Sequence, residues 1–137
     1  MNTLTNHLMR PRRIVAAAVL AALLLAPAFA TGAKEGKYKG KVVGDSGKVS
    51  FKVDGSKVKK FEIDGVYADC YGGGQLVTVF VPKAKIKNNR FEKRYVPDPS
   101  SDFHVILKGK FNGSQASGTV KGEGVCGYEE EWTAKKT

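Results

Sequence analysis

Side chains that alternate between apolar and charged at a period of two residues constrain this chain more than anything else in it. "KVSFKV" (48–53) places Val49, Phe51 and Val53 on one face and Lys48, Ser50 and Lys52 on the other. Only an extended strand separates neighbours that way. "KYKGKVV" (37–43) does the same, with Tyr38, Gly40 and Val42 opposite Lys37, Lys39 and Lys41. Between them stands "GDSG", and after the second run comes Asp54-Gly55, the positive-φ step of a tight hairpin. From Gly36 onward no stretch sustains helical periodicity.

The same grammar continues. "KVKKFEID" (57–64) turns Phe61 and Ile63 inward while Val58 falls out of phase, which predicts a bulge near Lys59-Lys60. "YGGGQ" (71–75) reads as a glycine loop. "LVTVFV" (76–81) is apolar on both parities and predicts a strand covered on both faces, ended by Pro82. "KAKIK", "NN" and "RFEKRYV" predict a further hairpin, and "PDPSSD" (97–102) a loop stiffened by two prolines. "FHVILKGKF" sets Phe103, Val105, Leu107 and Phe111 against His104, Lys108 and Lys110. "NGSQ", "ASGTVKG" and "YEEEWTAK" close the chain. The expected fold is all-β: about eight antiparallel strands joined mainly by hairpins. A small barrel is favoured over the alternative, a β-sandwich, because closure removes exposed edges.

The first thirty residues have a different character. Arg10, Arg12 and Arg13 precede "IVAAAVLAALLLAPAFA", a short apolar run ending in Ala28-Phe29-Ala30. This is the pattern of a secretory signal helix cleaved between Ala30 and Thr31, with Ala28 and Ala30 in the peptidase's small pockets. The expected division is a signal peptide (1–30), a flexible mature N-terminus (31–35) and a single β domain (36–137). The mature chain would have 137 − 30 = 107 residues and a formal charge of 20 − 13 = +7. Export to an oxidising compartment, periplasmic or extracellular, makes a Cys70–Cys126 disulfide the default. No transmembrane span is expected after processing.

The order of signals resembles a group of small secreted all-β proteins common in actinobacteria and related bacteria. It rests on G-x-Y-x-G (Gly36, Tyr38, Gly40), V-x-F-x-V (Val49, Phe51, Val53) and G-x-x-V-x-x-F (Gly55, Val58, Phe61). It continues with Cys70 before Gly72 to Gly74, then Gly109 and Phe111, then Ala116, Gly118 and Thr119, and finally Cys126 before Trp132-Thr133-Ala134. The resemblance implies a signal peptide, a β fold and a cysteine pair, and no activity. The acidic run before Trp132 departs from the group's pattern.

That acidic run is the most conspicuous chemical feature. In a strand with Trp132 pointing inward, Tyr128 and Glu130 share its face while Glu129 and Glu131 meet water. An inward carboxylate is costly unless paired, so Tyr128, Glu130 and Trp132 are candidates for lining a cavity. A small hydrolase would draw on Glu130 with Asp64 or Asp69. A Ser-His-Asp arrangement from Ser100 or Ser101, His104 and Asp102 is disfavoured, because neighbouring strand residues face apart. Asp98 and Asp102 lack the spacing of a calcium loop, the two cysteines are too few for zinc, and neither metal nor cofactor is implied.

The lysines are the other feature. Lys37, Lys39, Lys41, Lys48 and Lys52 share one hairpin surface, and Lys83, Lys85, Lys87 and Arg90 follow in "KAKIKNNRFEKR" (83–94). A clustered basic face attracts polyanions by counterion release. Without aromatic stacking platforms, no specific nucleic-acid recognition is expected. The expectation is a monomeric, secreted, non-enzymatic binding domain for an anionic envelope polymer or a small ligand. The alternatives are the carboxylate hydrolase and an inhibitor presenting "VPDPSSD".

Overall fold

The computed structural model describes residues 32–137. Its eight strands are β1 (Gly36–Val42), β2 (Lys48–Asp54), β3 (Lys57–Cys70), β4 (Gly73–Lys87), β5 (Arg90–Tyr95), β6 (His104–Asn112), β7 (Gln115–Glu123) and β8 (Cys126–Lys136). All pairings are antiparallel, and each strand pairs with the next until β8 returns to β1, which closes a barrel. No helix occurs among the described residues, and hence none long and apolar enough to cross a membrane. The expected signal peptide, with its cleavage site at Ala28, Ala30 and Thr31, lies outside the described residues.

The alternation seen in the sequence places the core. Tyr38, Val42, Val49, Phe51 and Val53 are buried, and so are Phe61, Ile63, Val105, Leu107 and Phe111. Aromatic rings fill one half of the interior. Trp132 lies 5.1 Å from Phe61 and 5.8 Å from Phe51, while Tyr38 stacks on Phe51 at 4.9 Å. Such pairs contribute about 0.5–1.5 kcal/mol each beyond the area they bury. Room for these rings comes from glycine on the neighbouring strand. Gly109 stands opposite Phe91, Gly118 opposite Trp132 and Gly122 opposite Tyr128. A Cβ on any of the three would fall within 2.7 Å of the facing ring.

The turns follow the chemistry read from the sequence. Gly55 (φ 59°) and Gly113 (φ 61°) take left-handed positions, and Asn88 and Asn89 (φ 52° and 59°) form the two-residue turn between β4 and β5. Coil residues 32–35 are tied to the barrel: the Lys34 carbonyl accepts from the Tyr38 hydroxyl at 2.7 Å, and the Glu35 carboxylate from the Gly55 amide at 2.8 Å. In the 97–102 loop, the Asp98 carboxylate accepts from both the amide and the hydroxyl of Ser100.

Three expectations need correction, all on β3 and β4. Pro82 does not end a strand, because "LVTVFV" and "KAKIK" belong to one β4 of 15 residues. Lys60, between the partners of Val81 and Lys83, has φ 52° at the bulge that Val58 foretold. A proline there removes no ladder bond from a regular pair. The glycine loop is shorter than read, since only Tyr71 and Gly72 turn and Gly73 already pairs with Cys70. Nor is "LVTVFV" covered on both faces: Leu76 and Phe80 are exposed on the outer side.

Closure is uneven. β4 and β5 share only the pairs Ile86–Phe91 and Lys87–Arg90, and then separate. On the far side of the ring β3 and β8 meet directly at Asp69–Gly127 and Cys70–Cys126. The disulfide joins this last pair, across a sequence separation of 56.

Candidate functional site

Outward side chains on adjacent strands line up in rows set by the register, and the rows differ in charge. One row runs Lys41 (β1), Thr133 (β8), Ser117 (β7), Lys110 (β6), Arg90 (β5) and Lys87 (β4), each residue opposite the next. The neighbouring row runs Lys39, Lys135, Gln115 and Asn112. Toward the disulfide the next row is mixed, with Glu131, Thr119, Lys108 and Glu92 in register. Here Lys108 lies 3.8 Å from Glu92. The two rows nearest the Asn88-Asn89 turn therefore carry cations and no carboxylate, and the next row carries both signs.

The two basic rows line a groove of about 880 Å³ on the outside of β1, β8, β7 and β6. The Asn88-Asn89 turn stands at its side, held to β6 by the Phe111 amide donating to the Asn89 carbonyl at 2.8 Å. Lys39, Lys41, Arg90, Lys110 and Lys135 line the groove, and no carboxylate does. The Thr133 and Ser117 hydroxyls stand between the cations. This arrangement can hold successive anionic groups by charge and offer hydroxyl donors between them.

The register also sets like charges directly opposite one another. Lys37 faces Lys52, Lys41 faces Lys48 and Lys39 faces Lys135. Lys52 in turn faces Lys59, Lys59 faces Lys83, and Lys57 faces Lys85. Such pairs destabilise a sheet, each by a fraction of a kcal/mol. One cation of this set is neutralised locally: Lys59 bonds Asp54 at 2.7 Å.

No protein family matches the chain, and neither does any curated protein or solved structure.

The sequence-predicted candidates are divided by the fold. Lys39, Lys41 and Arg90 line the groove, with Lys87 next to Arg90 in register. Lys37, Lys48 and Lys52 are on the adjoining β1–β2 surface, and Lys83 and Lys85 on the β3–β4 ribbon beyond it. Lys110, Lys135, Thr133 and Ser117 were missed as site residues. Finding them requires the β6–β7 and β7–β8 registers, which strand alternation alone does not supply.

The acidic cluster lies elsewhere. Glu129 stands opposite Lys121, and Glu131 opposite Thr119. Tyr128, Glu130 and Trp132 do share a face, with different surroundings. Trp132 is wholly buried in the aromatic core, its indole N–H without an acceptor among the described residues. Tyr128 lines a separate cavity. Glu130 is half-buried, and burial first, with the negative charge of Asp45 second, raises its carboxyl above the ordinary value.

His104 Nε2 lies 3.0 Å from Glu123, which also bonds Lys121 at 3.0 Å. Hydrogen bonds from Lys121 and His104 hold the Glu123 carboxyl below its usual range, that from Lys121 weighing more. The Ser100 hydroxyl is committed to Asp98, and that of Ser101 accepts from the Phe103 amide. Neither serine is joined to His104. No group of three His, Cys, Asp or Glu side chains with metal-holding geometry occurs among the described residues.

Proposed function

We propose that the protein is a secreted, non-enzymatic binding domain whose basic groove holds an anionic polymer of the cell envelope. The observation that carries this reading is the set of like charges in register, Lys39 opposite Lys135 and Lys110 opposite Arg90, around a groove without carboxylates. A sheet needs lysines on its surface for solubility, but it does not need them facing one another, which costs stability. A polymer bearing phosphate or carboxylate groups relieves that repulsion and releases its own condensed counterions. The disulfide accords with an oxidising compartment.

Charge reversal tests the reading. The triple variant Lys39→Glu, Lys41→Glu, Lys135→Glu should lose retention on a wall-polymer or polyphosphate column at low salt while the barrel stays folded. Equal retention of wild type and variant would refute the proposal.

One observation favours the carboxylate hydrolase as a second reading: Glu130 is half-buried beside a second carboxylate, Asp45, whose charge adds to burial in raising its carboxyl. A proton held above the ordinary range is what a general acid requires. On that reading wild type turns over some member of a glycan panel and Glu130→Gln abolishes the turnover.

A further inference from the structure

A second concave feature is built from different residues and has the opposite character. Where β4 and β5 separate, a cavity of about 360 Å³ opens between β4, the 97–103 loop and the inner face of β8. Val77, Val79, Phe103, Val105 and Tyr128 line it, and no charged side chain does. Its size is within the range of small-ligand pockets.

Three hydroxyls belong to this lining, those of Thr78, Tyr95 and Tyr128, and Thr78 donates its own to Asp64 at 3.1 Å. Tyr128 is 8 % exposed, and no hydrogen bond joins its hydroxyl to another described residue, which leaves that oxygen to solvent at the cavity; burial of the ring raises its pKa to about 12. At neutral pH this group is a protonated donor. A ligand oxygen in the cavity would replace solvent as the acceptor of this donor. Gly122 keeps the ring seated, since a Cβ there would fall 2.4 Å from it.

Access follows from the topology. β4 and β5 are in register only next to their turn, so the wall beside Val79 and Tyr95 is not sealed by ladder hydrogen bonds. Lys93 shows the same opening. It shares the parity of the buried Phe91 and the half-buried Tyr95, yet it is exposed.

We propose that this cavity binds a small, neutral, apolar molecule carrying one oxygen acceptor, such as a ketone or an ester, with the acceptor on the Tyr128 hydroxyl. The apolar lining provides the affinity and the Tyr128 hydroxyl the orientation. A carboxylate is excluded, because no cation lines the cavity to offset its desolvation. This site does not depend on the polyanion reading and stands or falls separately.

Acetophenone and ethylbenzene, which match in shape but differ in the acceptor, are suitable probes. In methyl-resolved NMR both should shift the resonances of Val77, Val79 and Val105, acetophenone at lower concentration. Tyr128→Phe should weaken acetophenone about five- to tenfold and leave ethylbenzene unchanged. Val77→Trp, filling the mouth, should abolish both while the remaining spectrum stays dispersed. The proposal is overturned if neither probe moves these methyls up to its solubility limit. It is equally overturned if the shifts map elsewhere, or if Tyr128→Phe weakens both probes alike or neither.

Discussion

Gly118 and Tyr128 show how single positions set the limits of this barrel. A Cβ on Gly118 would lie 1.9 Å from the Lys108 carbonyl oxygen and 2.7 Å from the Trp132 ring. The carbonyl belongs to the paired backbone of β6 and cannot rotate away. Gly118→Ala should therefore destabilise the fold by about 3 kcal/mol, at the upper end of overpacking costs, measured as a lower urea midpoint. Tyr128→Phe removes a hydroxyl that bonds no described residue, and should change the stability of the free protein at neutral pH by less than about 1 kcal/mol. Its pH dependence is distinctive. The folded state holds the phenol proton up to about 12, against the ordinary value of 10. Stability from this group is full below pH 10 and is lost as pH rises from there through the folded value. Alkaline titration of unfolding should thus show a loss in wild type that Tyr128→Phe lacks, and identical alkaline limbs would contradict the assignment. Glu130 follows the same sign. Its raised carboxyl makes stability fall as pH rises past the ordinary glutamate value, so Glu130→Gln should gain on wild type at neutral pH and not below about pH 4.

At the level of strands, β4 is where alternation alone was least informative. The inward sets of β1, β2 and β6 were legible because the alternation within each of these strands is unbroken. So was the bulge at Lys60, because Val58 and Phe61 can both face inward on one strand only if an extra residue is inserted between them. Pro82 and the triple glycine misled for one shared reason. Local propensity reads both as breaks, whereas pairing with the long β3 carries the ladder through each of them. The outer exposure of Leu76 and Phe80 was hidden too, since no signal within a strand tells whether a second layer covers it. The groove cations on β6 and β8 were visible as lysines but not as neighbours of β1, because closure brings together residues nearly a hundred positions apart. Hydrogen exchange tests the unpaired side of β4. Alternate amides between Gln75 and Lys83 should exchange rapidly while those bonded to β3 stay protected, and uniform protection would show that β5 seals this edge after all.

Over the whole molecule the barrel has two unequal halves. The Cys70–Cys126 bridge ties β3 to β8 at one end. Reducing it should cost up to about 4 kcal/mol by the chain-entropy account of a loop of this length, read as a lowered thermal midpoint under reductant. Glu123 of β7, bonded by Lys121 and His104, lies in that half, while the groove and its opposed cations occupy the other. Because cross-strand repulsion weakens the free protein, an anionic polymer should raise its thermal midpoint. The triple charge-reversal variant should gain nothing from the polymer. The most direct measurement is the affinity for long-chain polyphosphate as a function of salt. Five cations line the groove, Lys39, Lys41, Arg90, Lys110 and Lys135. Each released counterion contributes about 0.7–0.9 to the slope of log affinity against log salt. A slope near −4, reduced to near zero in the charge-reversal variant, is the predicted result. A shallow slope in wild type, or the same slope in both proteins, would contradict the account.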